Sequence, residues 1–234
     1  MTISFDAGAA SASDFSSGSS WFMPDWPAPA GVRSLTTTRV GGISRGVYAG
    51  FNLGDYVDDE PAAVAANRAR LAEWLGGEPV WLRQVHGTHV VDAAQWQGRT
   101  APEADAAFAR LPGVICAVMT ADCLPVLLCD DAGSVVAAAH AGWRGLLDGV
   151  LEATVKATGV PGERLMAWLG PAIGPLAFEV GQEVRDAFVA ASVSADAAFR
   201  PAAGAGKYLA DIYCLARQRL ADQGVSRVFG GSLC

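Results

Sequence analysis

The sequence has few basic residues and no cluster of them. Its 234 residues include 17 Lys and Arg against 24 Asp and Glu, which gives a formal net charge of −7. Non-specific binding to nucleic acids or anionic membranes depends on basic clusters, so we expect neither partner. No apolar run approaches the roughly 20 residues that a bilayer-spanning helix needs. The composition therefore argues against nucleic-acid-binding and membrane-embedded proteins.

Disulfide and export signals are also missing. The five cysteines are odd in number, and no two form a CxxC pair, so reduced thiols in a cytoplasmic protein are expected. Residues 1–20 are mostly Ser, Ala and Gly, contain no Lys or Arg, and lack the apolar core of a signal peptide. We expect residues 1–20 to be a disordered leader and residues 21–234 to be a single domain.

The sequence as a whole is 51% hydrophobic and 18% charged, and the patterning of residues 21–234 predicts strands and helices in mixed order. Strand-like runs lie at residues 34–39, 80–85, 89–91, 114–121, 165–169 and 226–229. Helical patterns lie at 144–158, 182–191 and 208–223, and another helix follows a cap at Asp58 or Asp59 and ends at Gly76. Without a repeating βαβ period, this order predicts an α+β single domain with mixed or antiparallel sheets flanked by helices.

A predicted hairpin at residues 120–145, TADCLPVLLCDDAGSVVAAAHAGWRG, organises the chemistry of the chain. A two-residue loop, Asp131-Ala132, would place Cys123 directly opposite His140 on one face, with Cβ atoms roughly 5 Å apart. A thiol and an imidazole at that distance form half of a metal site or a nucleophile–base pair. A buried cysteine of no chemical role is the simpler alternative.

The chain has only three histidines, at 86, 89 and 140. His86 precedes Gly87 at a predicted strand end, where its ring can be exposed. His89 lies three residues further on, so on a continuous strand it would face the other way. His86, Cys123 and His140 would form a His₂Cys set with one coordination position open, which is the arrangement of catalytic zinc.

Three segments that contain these residues closely resemble the YfiH/DUF152 family: QVHG (84–87), TADCLPVLLCD (120–130) and AAHAGWRG (138–145). This family is also known as peptidoglycan editing factor and, by an older name, as multicopper polyphenol oxidase or laccase. Further similar segments lie at residues 37–54, 67–71, 167–181, 207–217 and 230–234. Family members usually continue into an arginine-rich segment expected to close the site or bind substrate, whereas this sequence stops at Cys234.

The resemblance implies a YfiH-like catalytic domain in which His86, Cys123 and His140 bind Zn²⁺. It also implies a purine nucleoside phosphorylase that splits adenosine, inosine and methylthioadenosine with phosphate, and an adenosine deaminase activity at the same site. The expected partners are therefore a small-molecule purine nucleoside and phosphate.

Four further residues of the similar segments are candidates for substrate binding. Arg39 and Arg144 could bind phosphate, although surface ion pairs would explain them equally well. Asn52 could bind ribose or base, or it could simply form a turn. Asp122 could orient a histidine or accept a proton, or it could point away from the site.

Three other functions compete with this interpretation. A multicopper oxidase needs more imidazoles than three histidines supply, but a single copper site would need only His₂Cys and an axial methionine, for which Met119 is a candidate. A metal-free hydrolase acting on peptidoglycan precursors would use Cys123 as nucleophile and His140 as base. A non-enzymatic binding module is the third.

Overall fold

The structure is a computed structural model that describes residues 2–5 and 19–234. Within these residues the strands are β1 (Thr2–Phe5), β2 (Trp21–Phe22), β3 (Val32–Thr37), β4 (Val90–Asp92), β5 (Ala106–Ala109), β6 (Ile115–Ala117), β7 (Leu124–Asp130), β8 (Val136–Ala141), β9 (Leu165–Leu169), β10 (Glu179–Gly181), β11 (Phe199–Pro201), β12 (Lys207–Ala210) and β13 (Arg227–Gly230). The α-helices are α1 (Pro61–Leu75), α2 (Trp143–Asp148), α3 (Val150–Thr158), α4 (Gln182–Ala191) and α5 (Ile212–Asp222). None of these helices is long and apolar enough to cross a membrane.

A six-stranded mixed sheet with the order β13-β9-β7-β8-β5-β4 forms the centre of the fold. Its outer pairs, β13 with β9 and β4 with β5, are parallel, and its inner pairs are antiparallel. Every residue of β7 and β8 is buried. The sheet must therefore be covered on both faces, and the prediction of an α+β domain with mixed sheets is confirmed.

The two faces of this sheet pack against different layers. On one face, Leu124 and Val126 contact apolar residues of the helices, among them Leu146 and Leu151. On the other face, Leu127 and Cys129 contact a core contributed by a four-stranded sheet with the order β2-β3-β1-β6. A three-stranded sheet, β10-β12-β11, lies beside α4. Odd-numbered residues of β7 therefore face the four-stranded sheet.

The predicted register of the β7–β8 hairpin is wrong. Pro125, and not Cys123, lies opposite His140, so the pairing is displaced by two residues. A displacement of two keeps every side chain on its face, whereas a displacement of one would have reversed it. Cys123 and His140 therefore still share a face, in diagonal positions.

The hairpin turn explains the displacement. Asp130 pairs across the hairpin with Val135 rather than Gly133, because its carboxylate accepts hydrogen bonds from the backbone N–H groups of Ser134 and Val135. The Ser134 hydroxyl donates to the same carboxylate at 2.7 Å. Gly133 adopts a left-handed conformation with φ +64°, which the longer turn requires.

Several element boundaries also differ from the predictions. The single helix expected at 144–158 is two helices, because Gly149 interrupts it with φ +100°. Residues 208–210 belong to β12, so the last helix begins at Ile212. The cap of α1 is Glu60 and not Asp58 or Asp59, and residues 80–85 form only isolated bridges.

The first few residues of the expected disordered leader, residues 1–20, form a strand. Thr2–Phe5 forms β1, which pairs antiparallel with both β3 and β6. Residues 6–18, on which most of that prediction falls, lie outside the described residues.

Candidate metal centre and adjoining cavity

The structure brings together the three predicted metal ligands. His86, Cys123 and His140 each offer one donor atom, and these atoms all lie within 4.8 Å of one another. The Cys123 Sγ atom is 3.7 Å from Nε2 of His86, and the two imidazole centroids are 4.8 Å apart. His140 is buried, Cys123 is half-buried and His86 is exposed, so the cluster has a protein side and an accessible side.

A glycine makes room for this cluster. Continuing the β7–β8 register by one residue places Gly142 opposite Cys123. A Cβ atom at Gly142 would lie 2.7 Å from Cδ2 of His86 and 2.9 Å from Sγ of Cys123. The backbone of Gly142 has an ordinary conformation, with φ −60°. The requirement for glycine is therefore steric.

His86 is held in an unusual backbone conformation. Among the described residues it is the one non-glycine residue with positive φ, at +62°. This left-handed residue turns the N–H groups of Val85, His86 and Gly87 towards the carboxylate of Asp105, at 3.1, 2.9 and 2.7 Å. Successive N–H groups in such a turn form a concave anion-binding nest, which here contains a side chain of the protein itself. Asp105 therefore stabilises the strained turn that presents His86.

The same carboxylate orients His140. Nδ1 of His140 lies 2.8 Å from Oδ1 of Asp105, which is fully buried. A histidine that donates its Nδ1 proton to a carboxylate keeps Nε2 free to bind a metal. This role of Asp105 is not predicted from the sequence. The available signal was an acidic residue directly before the apolar strand β5, in a segment that is otherwise mostly alanine.

The ionisation of the cluster follows from these contacts. Burial lowers the pKa of His140, but the hydrogen bond to Asp105 and the proximity of Cys123 outweigh it and raise the pKa to about 9. Burial and the positive charge of His140 lower the pKa of His86. Burial raises the pKa of Asp105, but hydrogen bonds from His140 and from the nest bring it below its ordinary value.

The remaining histidine and the core cysteines lie outside the cluster. Nδ1 of His89 is 2.8 Å from the backbone oxygen of Glu103. Cys116 and Cys129 are fully buried, and burial raises the pKa of the Cys129 thiol to about 12. Both are therefore inert residues of the core.

A cavity of about 620 Å³ lies beside the cluster. Its lining includes Ala121 and Pro125, which flank Cys123 in the chain. Aromatic side chains form much of the wall, namely Tyr48, Phe51, Tyr56 and Trp81. Arg39 is the one charged residue in the lining that the described part of the chain provides. The cavity thus combines flat apolar surfaces with a single cation.

Two of the four candidate substrate residues line this cavity. Among the described residues, the Arg39 guanidinium donates one hydrogen bond, to the carbonyl of Ala49 at 3.3 Å, which leaves its other N–H donors available. The Asn52 side chain is used locally: its Nδ2 donates to Asp59 at 2.8 Å, and its Oδ1 accepts from the N–H of Gly54 at 3.1 Å. Asn52 therefore shapes the wall through a turn.

The other two candidates are absent from the lining. Asp122 is exposed, and its backbone carbonyl accepts a hydrogen bond from Ile173. The guanidinium of Arg144 lies 4.4 Å from the ring centroid of Trp143, at the exposed start of α2. Its charge contributes to the lowered pKa of His86, so it lies on the metal side of the site.

The donor set fits a metal ion. Two imidazoles and a thiol, with a carboxylate behind one imidazole, are the ligands and outer-shell partner of catalytic zinc. The same His₂Cys set would suit a copper site with an axial methionine. The Sδ atom of Met119, the predicted axial candidate, lies 3.7 Å from the Arg68 guanidinium, which donates to it.

Comparison with known proteins identifies the family. The family described as "Multi-copper polyphenol oxidoreductase laccase" matches residues 33–234. The chain belongs to this family.

Relatives within this laccase family carry the name of a different enzyme. A purine nucleoside phosphorylase of Pseudomonas aeruginosa is 58% identical over 214 residues, which cover 92% of this chain and 87% of the relative. The purine nucleoside phosphorylase YfiH of Escherichia coli is 54% identical over 214 residues, with 91% and 87% covered. The resemblance to the YfiH family is confirmed, and the relatives' names indicate an enzyme.

Solved structures of similar proteins have the same fold. A Neisseria meningitidis protein of the DUF152 family has a TM-score of 0.90 and 52% identity, covering 92% of this chain and 88% of that one. The protein YlmD from Geobacillus stearothermophilus has a TM-score of 0.82 and 28% identity, with 94% and 88% covered. The α+β architecture described above is therefore that of the laccase family.

Proposed function

We propose that the protein is a zinc-dependent purine nucleoside phosphorylase. It would convert adenosine, inosine or methylthioadenosine and phosphate to the free base and the ribose or methylthioribose 1-phosphate. One observation carries the proposal: the cluster of His86, Cys123 and His140 lies beside an aromatic cavity whose charged lining residue is Arg39. The names of the Pseudomonas and Escherichia relatives support the same reaction.

His86, Cys123 and His140 would hold the ion, and a zinc ion with three protein donors supplies Lewis acidity beside the substrate. Asp105 accepts a hydrogen bond from Nδ1 of His140, 2.8 Å away, and thereby leaves Nε2 as the ring nitrogen that would hold the ion. Asp105 also fixes the turn at His86 through three N–H groups. The protein thus prearranges two of the three donors through one buried carboxylate.

In phosphorolysis, an oxygen of phosphate bonds to C1′ of the ribose as the C1′–N9 bond breaks. The base leaves with the electron pair of that bond and takes up a proton. Arg39 would hold the phosphate through its free guanidinium donors. The aromatic wall, including Phe51 and Trp81, would stack on the purine and exclude water from the ribose carbon.

An adenosine deaminase activity at the same cluster is the second part of the proposal. Water would replace the amino group at C6, and ammonia would leave. The three-donor set supports this activity because it leaves a coordination position free for the reaction. Ammonia release without phosphate distinguishes deamination from phosphorolysis.

Two alternative chemistries remain to be separated from this proposal. A copper-dependent polyphenol oxidase is favoured by the name of the family, but the chain contains only three histidines. A metal-free hydrolase acting on peptidoglycan precursors is favoured by the proximity of Cys123, its nucleophile, to His140, its base, since their donor atoms lie within 4.8 Å of one another. Rapid labelling of Cys123 by iodoacetamide in metal-replete protein would indicate a free thiolate and support the hydrolase.

The proposal extends to organisation and location. Residues 21–234 would act as one catalytic domain in the cytoplasm. All five cysteines are unpaired, as expected in a reducing compartment.

A product assay tests the function. Purified protein is incubated with adenosine, with or without phosphate, and products are separated by chromatography. We expect adenine and ribose 1-phosphate only when phosphate is present, and inosine and ammonia from deamination with or without phosphate. Oxidation of a phenolic substrate, without any release of adenine, would contradict the proposal.

A further inference from the structure

One loop supplies much of the wall of the cavity. This segment, residues 39–54, is called the cavity loop and includes Arg39, Tyr48 and Phe51. Its base is closed by a hydrogen bond from the N–H of Phe51 to the carbonyl of Arg39 at 2.9 Å. A Cβ atom at Gly50 would lie 2.0 Å from that carbonyl, so the two ends of the loop touch through backbone alone. The loop is therefore compact, and its placement decides where Arg39 lies.

A single buried amide holds this loop to helix α1. Asn67 is 1% exposed. Its Oδ1 accepts from the N–H of Ile43 at 3.0 Å, and its Nδ2 lies 3.0 Å from the Ser44 hydroxyl. The same Nδ2 group also lies 3.3 Å from the carbonyl of Gly50 and 2.9 Å from that of Asn52. Asn67 therefore contacts both arms of the loop.

The next residue of helix α1 also holds the cavity loop, and it contacts the wall of the cavity. Nε of Arg68 donates to the carbonyl of Leu53 at 2.8 Å, and its guanidinium pairs with Asp55 at 3.0 Å. The guanidinium also stacks 4.1 Å from the ring centroid of Trp81, which lines the cavity. The two residues together fix the cavity loop against helix α1 and the aromatic wall.

The sequence of α1 makes this use of asparagine unusual. Asn is a weak helix former, because its amide competes for backbone hydrogen bonds, and it is seldom fully buried. In the middle of a 15-residue helix it contributes little to helix formation. Its amide instead contacts three backbone groups and the Ser44 hydroxyl, and so joins the helix to the cavity loop.

We propose that Asn67 is a positioning residue for substrate binding, acting through the cavity loop. The inference rests on the proposed function, since it assumes that phosphate and nucleoside occupy this cavity. Loss of the amide would free residues 43–52 to move, and Arg39 and Phe51 would lose their common placement. Binding would weaken, while the metal ligands, which belong to other elements, would stay in place.

The test compares Asn67→Ala and Asn67→Asp with the wild-type holoenzyme. We expect KM for phosphate and for adenosine to rise about tenfold or more, with kcat within about twofold, the signature of lost binding that is equal in ground and transition states. Asn67→Asp should show the same rise, because it keeps the acceptor for Ile43 but loses the donors to the other three groups. Glu73→Ala, on the exposed face of the same helix, is the matched control and should match the wild type.

Two readouts separate this inference from the function on which it rests. Hydrogen exchange of residues 43–52 should accelerate in Asn67→Ala, with metal content unchanged. If the wild type shows no phosphorolysis, the proposed function fails, and the exchange measurement alone decides whether Asn67 holds the loop. If the wild type is active and Asn67→Ala lowers kcat with KM unchanged, or leaves loop exchange unchanged, the inference is wrong.

Should Asn67→Ala fail to fold, Ser44→Ala removes one of its partners at lower cost. We expect a rise in KM of about twofold to fivefold, because the Ser44 hydroxyl no longer contacts Asn67 or Asp59. Unchanged KM values in folded Ser44→Ala would overturn the inference in that case.

Discussion

Asp105 and His140 are joined twice, through side chain and backbone. Nδ1 of His140 lies 2.8 Å from Oδ1 of Asp105, and the backbone N–H of His140 donates to the carbonyl of Asp105 at 2.7 Å. The same carboxylate binds the N–H groups of residues 85–87. One buried side chain therefore sets the positions of both histidines in the metal centre.

Asp105→Asn should weaken metal binding. An amide has one acceptor oxygen, so its NH₂ group would oppose either the Nδ1 proton of His140 or the N–H groups of Val85 and Gly87. We expect zinc affinity to fall about 10- to 100-fold, the usual effect of losing such an outer-shell partner. Competition with a coloured chelator measures the affinity. Asp148→Asn, at an exposed position, is the control, and equal affinities of the two variants would count against the role of Asp105.

Gly142→Ala should disrupt the cluster by crowding alone. The new methyl group would lie 2.7 Å from His86 and 2.9 Å from Cys123, so at least one donor must move. We expect zinc affinity to fall by about tenfold or more, because displacements near 1 Å have effects of this size or larger at prearranged sites. Gly31→Ala is the matched control, since no atom lies within 4 Å of its added Cβ. If Gly142→Ala folds normally and binds zinc with the affinity of the wild type, the predicted crowding is wrong.

The metal-free protein should lose stability as the pH rises. The pKa of His140 in the fold is about 9, against an ordinary value of 6.5, because the hydrogen bond to Asp105 outweighs burial. A raised pKa stabilises the fold fully below pH 6.5, and this contribution disappears as the pH rises through about 9. Melting temperatures of chelator-treated protein between these pH values measure the effect. Asp105→Asn should flatten the profile, and an equally steep profile in that variant would assign the titration to another group.

Arg39→Gln should raise KM for phosphate. The guanidinium is the charged group of the cavity lining, and hydrogen bonds to charged groups contribute about 1.5–3 kcal/mol, equivalent to about 10- to 100-fold in affinity. Steady-state kinetics with varied phosphate measures the change. Arg45→Gln lies on the same cavity loop but outside the lining and should leave KM unchanged. If both variants behave alike, phosphate binds elsewhere, and Arg144 becomes the candidate.

The faces of the strands could be predicted from the sequence, but their register could not. Alternation along β7 and β8 depends only on residue number, so Cys123 and His140 were placed correctly on one face. Their pairing depends on the turn, and the turn length depends on three hydrogen bonds to Asp130 that no local pattern reveals. Cys123 and His140 lie close together despite the wrong register, because the error was an even number of residues.

The residues that position the metal ligands and the cavity loop could not be predicted from the sequence, for a different reason. Asp105 is 35 residues from His140 in sequence and 19 from His86, and only the tertiary fold brings the three together. Asn67 likewise acts on a loop 15 to 24 residues away. By contrast, Arg39 was identifiable because it lies in a glycine-rich turn that any ligand-binding loop would favour.

A paired measurement on His140→Ala and His89→Ala tests most directly whether the protein is a zinc-dependent phosphorylase. Metal content per chain and phosphate-dependent release of adenine from adenosine are determined on the same preparations. His89 lies outside the cluster, and its ring contacts the backbone oxygen of Glu103, so its variant should retain both properties. We expect about one zinc per wild-type chain and loss of both zinc and phosphorolysis in His140→Ala. Undiminished phosphorolysis in His140→Ala, or stoichiometric copper in the wild type, would contradict this proposal.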